Sequence, residues 1–332
     1  MLANLGSPDS PDVSAVRRYL KEFLMDGRVL DAPTPIWWMI VNLFILPFRP
    51  KNSAHAYQQI WEKDGSPLIL HSKRLKERVS AELADLPISL GMRYGNPSLK
   101  EAADQLRAQG VEKVLLVPLY PHYAMSSFET VVAKVQENES SEDNPMDISV
   151  MPAFYNRDTY IDALYASAHD SLKQSFDHYL FSYHGLPERH LRKSDITGQH
   201  CLKVDNCCSV DSSAHQFCYR HQVMETSKLF ASKANLPQGK WSVAFQSRLG
   251  RDPWLNPNTA DRVVELAEQG IKKLWVIAPS FVSDCLETLE ELEMQIADDF
   301  KAAGGELFYY APAMNTHDSW IKSLSTLISE QT

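Results

Sequence analysis

Ser98-Leu99-Lys100-Glu101-Ala102-Ala103-Asp104-Gln105-Leu106-Arg107-Ala108-Gln109-Gly110-Val111-Glu112-Lys113-Val114-Leu115-Leu116-Val117-Pro118 decides the fold, because the chain repeats its plan. The second copy is Thr259-Ala260-Asp261-Arg262-Val263-Val264-Glu265-Leu266-Ala267-Glu268-Gln269-Gly270-Ile271-Lys272-Lys273-Leu274-Trp275-Val276-Ile277-Ala278-Pro279. Each reads as a helix, a glycine, and an apolar strand closed by proline. Gly110 and Gly270 stand where a helix end calls for a left-handed residue. Each unit goes on to a Glu-Thr pair, Glu129-Thr130 and Glu287-Thr288. So many matched positions predict two similar halves, joined around residues 154–159. The prolines mark the C-terminal strand ends, where open α/β sheets place their ligands.

Outward from this pair, short apolar runs predict strands at 2–5, 88–94, 113–119, 148–151, 179–183, 242–246, 273–278 and 307–310. Helical patterns lie between most of them, at 12–25, 67–84, 98–109 and 259–269. Strands alternating with helices give the α/β class, with parallel sheets flanked by helices. The expected organisation is an N-terminal half over 1–155, a C-terminal half over 156–314, and a C-terminal helix over 315–332 packing back on the body. Two segments break the alternation. Residues 137–147 are polar and acidic and read as a solvated loop. Residues 192–219 are polar, hold most of the cysteines, and read as an insertion.

Composition narrows the function. The chain has 332 residues, 42 Asp and Glu against 33 Lys and Arg, and a net charge of -9. That balance excludes a nucleic-acid binder, which needs a basic face. Five cysteines are too few for a disulfide scaffold of this length. The start, Met1-Leu2-Ala3-Asn4-Leu5-Gly6, carries no secretory pattern, so a reducing cytoplasm is expected. The apolar run at 36–46 falls short of the roughly 20 residues of a membrane span and is bracketed by Pro33, Pro35, Pro47 and Pro50. It reads as an apolar lip within 33–50, carrying Trp37 and Trp38.

The chemistry-bearing residues sit at strand ends. His184 closes the strand at 179–183 and precedes Gly185. An imidazole there suits proton acceptance or metal binding near neutral pH. After the strand at 273–278 come Asp284, Glu287 and Glu291. A helix starting near Ser283 would put these three carboxylates on one face. One His with a row of carboxylates suits a divalent cation held in passing, not a tight structural zinc. Tyr123 and Trp254 could line an apolar site for a flat ligand. Arg93, at another strand end, suits a carboxylate. Cys201, Cys207, Cys208 and Cys218 crowd one polar segment with His200, His215 and His221 close by. Four thiolates suit a [2Fe–2S] cluster or a zinc ion, mixed Cys/His zinc ligation and four unliganded thiols being the other readings.

Asn4-Leu5-Gly6-Ser7-Pro8, Gly65-Ser66-Pro67-Leu68, Arg93-Tyr94, Tyr120-Pro121-His122-Tyr123, Ser182-Tyr183-His184-Gly185-Leu186-Pro187, Gln246-Ser247-Arg248-Leu249-Gly250, Trp254-Leu255 and Ser283-Asp284-Cys285-Leu286-Glu287-Thr288 together resemble ferrochelatase. The matches run in order over nearly the whole chain, apart from the cysteine segment. The resemblance implies two Rossmann-like halves, each built on a four-stranded parallel sheet. It implies insertion of Fe2+ into protoporphyrin IX, the last step of haem formation. His184 and Glu287 would share proton acceptance and metal handling, with Asp284 and Glu291 extending a polar path. Arg93, Tyr94, Tyr123, Trp254, Trp37 and Trp38 would seat the porphyrin. Some bacterial members carry an internal cysteine group binding [2Fe–2S], which the four cysteines match. The lip implies peripheral contact with the inner face of the cell membrane, and the chain is expected as monomer or homodimer. Rival readings are a coproporphyrin ferrochelatase, a cobalt or nickel tetrapyrrole chelatase, and a non-catalytic haem carrier. One departure is Cys285, where many members have His.

Overall fold

The computed structural model describes residues 1–31, 34–248 and 252–332, with all side chains but those of Thr34 and Ile36. Pro33, Leu249 and Gly250 lie outside the described residues. Among the described residues, eight strands form two sheets. The first contains β1 (Leu2–Ser7), β2 (Leu90–Gly95), β3 (Lys113–Pro118) and β4 (Asp147–Val150), in the order β2-β1-β3-β4. The second contains β5 (His178–His184), β6 (Trp241–Gln246), β7 (Lys273–Ile277) and β8 (Leu307–Ala311), in the order β6-β5-β7-β8. Every pairing is parallel. Parallel neighbours need a crossover, and helices supply it each time.

The chain divides into two units. The first holds Met1–Tyr120, Met125–Pro152 and Leu324–Thr332, and the second holds Pro121–Ala124 and Ala153–Ser323. The division between the two falls within the C-terminal helix Asp318–Ser329.

The repeat read from sequence builds matching elements. Ser98 caps the helix Leu99–Arg107 with a reciprocal capping box to Glu101. Asn258 caps Thr259–Glu268 by accepting from the Ala260 and Asp261 amides. Gly110 and Gly270 follow with φ of 76° and 92°. In the first unit Ala3, Leu99, Leu106, Leu116, Val131 and Val135 are buried together. In the second, Leu180, Val263, Leu266, Val276, Leu292 and Phe300 play the same part. Cutting one such leucine to alanine costs about 2–5 kcal/mol.

Two glycines fix the ends of the central strands. A Cβ on Gly6, at φ 106°, would lie 1.8 Å from the Tyr94 carbonyl oxygen of β2. A Cβ on Gly185, just past β5, would lie 2.8 Å from the Gln246 carbonyl oxygen and 3.2 Å from the Trp254 ring. Any side chain at either place pushes the neighbouring strand away.

The acidic stretch at 137–147 is not a free loop. The helix Thr130–Ser140 runs through its first part, and β4 begins at Asp147. Glu139 is buried, takes both its oxygens to Arg107 at 2.8 Å, and accepts from the Met146 amide at 2.9 Å. Arg107 comes from elsewhere in the chain, so local polarity misread Glu139, while residues 141–145 are a mostly exposed loop as expected.

The lip is helical over Thr34–Ile40 and π-helical over Val41–Ile45. The Trp37 indole donates to the Leu24 carbonyl at 2.8 Å, which tethers the helix. Trp38, Met39, Leu43, Phe44 and Phe48 are exposed, Phe48 at 73%. Among the described residues no helix is long and apolar enough to cross a membrane.

Candidate functional site

His184 ends β5 and is half-buried. Its Nδ1 lies 2.7 Å from the Gly185 carbonyl oxygen. A carbonyl only accepts, so Nδ1 carries the proton and Nε2 keeps its lone pair. The strand end is held by the Gly185 amide, which donates to the Gln246 carbonyl at 2.7 Å.

The acidic residues arrive on a different element from the one expected. The helix begins at Leu286, after Asp284, and is π-helical over Glu287–Ile296. Such wide turns inside helices concentrate at functional sites. Glu287 and Glu291 lie one turn apart on it, half-buried, with Leu292 and Ile296 buried in the core. Asp284 is not on this helix. Its buried carboxylate accepts from Thr288 Oγ1 at 3.0 Å, Tyr310 at 2.9 Å, the Ala313 amide at 3.2 Å and Asn315 at 2.6 Å. Both oxygens are occupied, so Asp284 anchors the turn before the helix instead of extending a row of carboxylates.

Glu291 is gripped by two residues whose role the sequence reading missed. The Ser247 amide donates to it at 2.8 Å, the Ser247 hydroxyl donates to its other oxygen, and Gln246 donates at 3.2 Å. Gln246 also donates to the Glu287 carbonyl at 2.8 Å and is itself oriented by Ser182 at 2.8 Å. Ser247 sits at φ 63°, a left-handed conformation costing a non-glycine residue about 1–2 kcal/mol. That turn aims its amide at the carboxylate. The sequence signals were the place of Gln246-Ser247 at the end of β6 and its part in the motifs that resemble ferrochelatase.

Burial raises the pKa of Glu291, the Ser247 hydroxyl and the nearby His184 pull it back, and Glu287 raises it again. The net direction is upward, so Glu291 holds its proton to higher pH than an ordinary carboxyl. The Cys285 thiol is pushed well up by burial and by the adjacent Glu287 carboxylate, which it faces as a protonated donor. His184, Glu287 and Glu291 thus form one electrostatic group. Among the described residues no Lys or Arg forms an ion pair with either glutamate.

Trp254 is 8% exposed, and its ring stands against Gly185. Its indole N–H is buried without a hydrogen-bond partner among the described residues. Such an orphan donor is costly unless a ligand meets it. Tyr123 packs edge-on against Phe217 at 5.0 Å, and its amide donates to Gln222 at 2.7 Å.

Within the first unit, Arg93 donates to Thr130 at 2.7 Å and pairs with Asp26. Its guanidinium lies 4.4 Å over the Tyr94 ring. Tyr94 is fully buried, with its hydroxyl donating to Asp26 at 2.9 Å. Burial alone would raise the Asp26 carboxyl, but the Thr130 hydroxyl, the Arg28 amide and the Arg93 charge bring it below its usual value. Tyr94 therefore supports Arg93 from inside the core and offers no surface of its own. Trp37 and Trp38 are on the lip helix of this unit.

The four clustered cysteines are gathered. Cys201, Cys207 and Cys218 are buried, and Cys208 is partly so. Cys218 shares thiol contacts with Cys208 and Cys201, and its pKa is lowered to about 6, chiefly by Cys208. Burial and the Cys218 thiol push Cys201 upward. Asp195 ties the approach, accepting from the His200 amide at 2.7 Å and the Cys201 amide at 2.8 Å. The three imidazoles are turned to backbone. His200 and His215 meet the Cys207 carbonyl at 2.7 and 2.8 Å, and His221 meets the Cys208 carbonyl at 2.8 Å. Among the described residues no three His, Cys, Asp or Glu side chains are placed to hold a single metal ion. These four thiols are the donor set in this segment that could hold a metal group.

The fold is similar to that of two solved SirB structures. SirB from Bacillus subtilis with Fe3+ superposes with a TM-score of 0.53 at 13% identity, over 80% of this chain and 91% of that one. SirB from Bacillus subtilis subspecies spizizenii in complex with cobalt gives 0.51 at 11% identity, over 78% and 88%. The particular family is given by sequence. A family profile described as Ferrochelatase matches residues 1–332. A ferrochelatase of Stutzerimonas stutzeri is 47% identical over 330 residues, 99% of this chain and 96% of its own. One of Azotobacter vinelandii is 47% identical over 98% of this chain and 97% of its own. The chain belongs to the ferrochelatase family and is a metal-chelating lyase.

Proposed function

We propose that the chain inserts Fe2+ into protoporphyrin IX, closing haem biosynthesis, with the second unit supplying the proton chemistry. One observation carries this reading. His184 spends Nδ1 on the Gly185 carbonyl, which leaves Nε2 as its open proton site, and the imidazole lies within electrostatic reach of Glu291, whose other neighbour is Glu287. Metal insertion requires two pyrrole N–H protons to leave the ring and the iron to shed water. His184 Nε2 takes the protons one at a time, passing the first to a neighbouring glutamate before the second arrives, a role worth on the order of 100 to 10,000-fold in rate. The positive charge that forms is balanced by the two glutamates. Glu287, nearer the helix start, faces Fe2+ or passes the proton on. Glu291, with its raised pKa, is the next acceptor. Asp284 keeps the turn in place.

The resemblance assigns Arg93, Tyr123, Trp254, Trp37 and Trp38 to the porphyrin. The unpartnered Trp254 indole N–H supports its share of that role. Tyr94 acts through Arg93. Cys201, Cys207, Cys208 and Cys218 would hold a [2Fe–2S] cluster, which when bound supplies a one-electron couple and a crosslink. The exposed Trp38, Phe44 and Phe48 support peripheral contact with an interfacial membrane layer. The chain works in the cytoplasm as monomer or homodimer.

The test is metal insertion by the purified protein with an absorption spectrum taken first. Fe2+ with protoporphyrin should turn over faster than Fe2+ with coproporphyrin, or than Co2+ or Ni2+ with related rings. A reversed order would install the rival chelatase reading. Tight porphyrin binding without insertion would make the protein a carrier. Vesicle co-sedimentation of Trp38→Glu/Phe48→Glu should fall below wild type, and equal binding would remove the lip from the membrane.

A further inference from the structure

The cysteine segment and His184 meet at one residue. Cys218 occupies the cap position of the helix Tyr219–Lys233, and Tyr219 is the first residue of that helix. The Tyr219 hydroxyl lies 3.0 Å from the His184 backbone oxygen and 3.0 Å from Ser280 Oγ. A carbonyl only accepts, so Tyr219 donates to His184 and accepts from Ser280. The buried Tyr219 ring packs edge-on against His122, which packs edge-on against Tyr183, the residue before His184. On the other side the Gly185 amide is bonded to Gln246. The strand end carrying His184 is thus pinned from two directions, one of them the residue next to Cys218.

The helix start is weak on its own account. Cys218 makes no side-chain cap hydrogen bond to it, its sulfur only facing the His221 amide of the first turn. The amides of its first turn depend on tertiary contacts for their order. Anything that fixes Cys218 fixes Tyr219.

We infer that Tyr219 is a positioning residue that carries the state of the cysteine group to His184. This rests on reading the four cysteines as ligands of one cluster. With the thiols tied together, Cys218 holds the first turn, and the Tyr219 hydroxyl holds the His184 carbonyl. With the thiols released, the turn frays and the imidazole loses an anchor, and Tyr123, held by Phe217 and Gln222 of the same stretch, is loosened with it. For the Tyr219 hydroxyl taken alone, the consequence is a slower chemical step at unchanged substrate affinity.

The test is a double-mutant cycle on the purified full chain, with Tyr219→Phe, Cys208→Ala and their combination. Two readouts are taken: hydrogen exchange at the Gly185 amide, and the separate kcat and KM for protoporphyrin. Tyr219→Phe should keep the visible cluster absorption, speed Gly185 exchange about tenfold and lower kcat about fivefold, with KM within about twofold of wild type. Cys208→Ala should bleach the absorption and reproduce the same exchange and kcat changes. The double variant should be no worse than either. If Cys208→Ala does not fold, wild-type protein bleached with an iron chelator takes its place. Unchanged Gly185 exchange in Tyr219→Phe overturns the proposal, as do single effects that multiply in the double variant. Wild-type protein without cluster absorption or acid-labile sulfide overturns the cluster reading and the link, while the Tyr219→Phe arm still decides whether His184 is positioned by that hydroxyl.

Discussion

At the end of β3 the first unit leads into the π-helical turn Met125–Glu129 and then Thr130. At the end of β7 the second leads into the π-helical Glu287–Ile296, with Thr288 as its second residue. The scaffold is the same and the electrostatics differ. In the first unit Glu129 faces Arg28 at 3.3 Å, and Thr130 joins the buried Asp26–Arg93 pair. In the second, Glu291 feels His184, and Glu287 faces the Cys285 thiol. A guanidinium is charged at every accessible pH, so it fixes a carboxylate as structure. An imidazole changes charge near neutrality, so it leaves a carboxylate ready to exchange protons. One plan, duplicated, has become a braced half and a reactive half.

Exchanging the matched glutamates is the most forceful way to break this contrast. Glu287→Gln should lower kcat about 100-fold, while Glu129→Gln should stay within about twofold. Comparable losses at both places would erase the distinction. Next in size is the brace itself. Asp26→Ala leaves the Arg93 guanidinium, only 13% exposed, without its partner. Chemical unfolding should register a loss of about 3–5 kcal/mol.

A smaller effect follows pH. Burial lowers the His122 pKa to about 3, and burial with Arg262 nearby lowers that of His178 to about 4. Unfolded, both return to about 6.5. Between these values the unfolded chain binds more protons, so stability should rise with pH from about 4 to about 6.5 and then level off. Glu291 works the other way. Its raised pKa means the folded chain binds the proton more tightly, so its contribution falls as pH rises through the carboxylate range. Urea midpoints at pH 5 and pH 7.5 should show the histidines prevailing, and a higher midpoint at pH 5 would reverse that ranking. Smallest is Arg28→Ala, which removes a half-exposed pair and should cost no more than about 1 kcal/mol.

What the sequence made legible was local. The strands, the Gly110 and Gly270 helix ends, and His184 at a strand terminus follow from short-range patterns, and the structure carries them all. What it hid was set by distant partners. Asp284 leaves the acidic row because Tyr310, Ala313 and Asn315 claim it. Tyr94 is withdrawn from any ligand because Asp26 reaches it from 68 residues away. The helix starts at Leu286 and not near Ser283, so a face counted from Ser283 took in Asp284. The contacts of Ser247 and Tyr219 gave no local sign, since each acts by bonding to an element far from it in sequence.

The central claim is that His184 is the proton acceptor at the porphyrin. Its most direct test is the rate of Fe2+ insertion into protoporphyrin by His184→Ala, in protein whose circular dichroism matches wild type. A fall of about 100-fold or more, with porphyrin binding preserved, is the predicted result. A folded His184→Ala protein that inserts iron at the wild-type rate would contradict it.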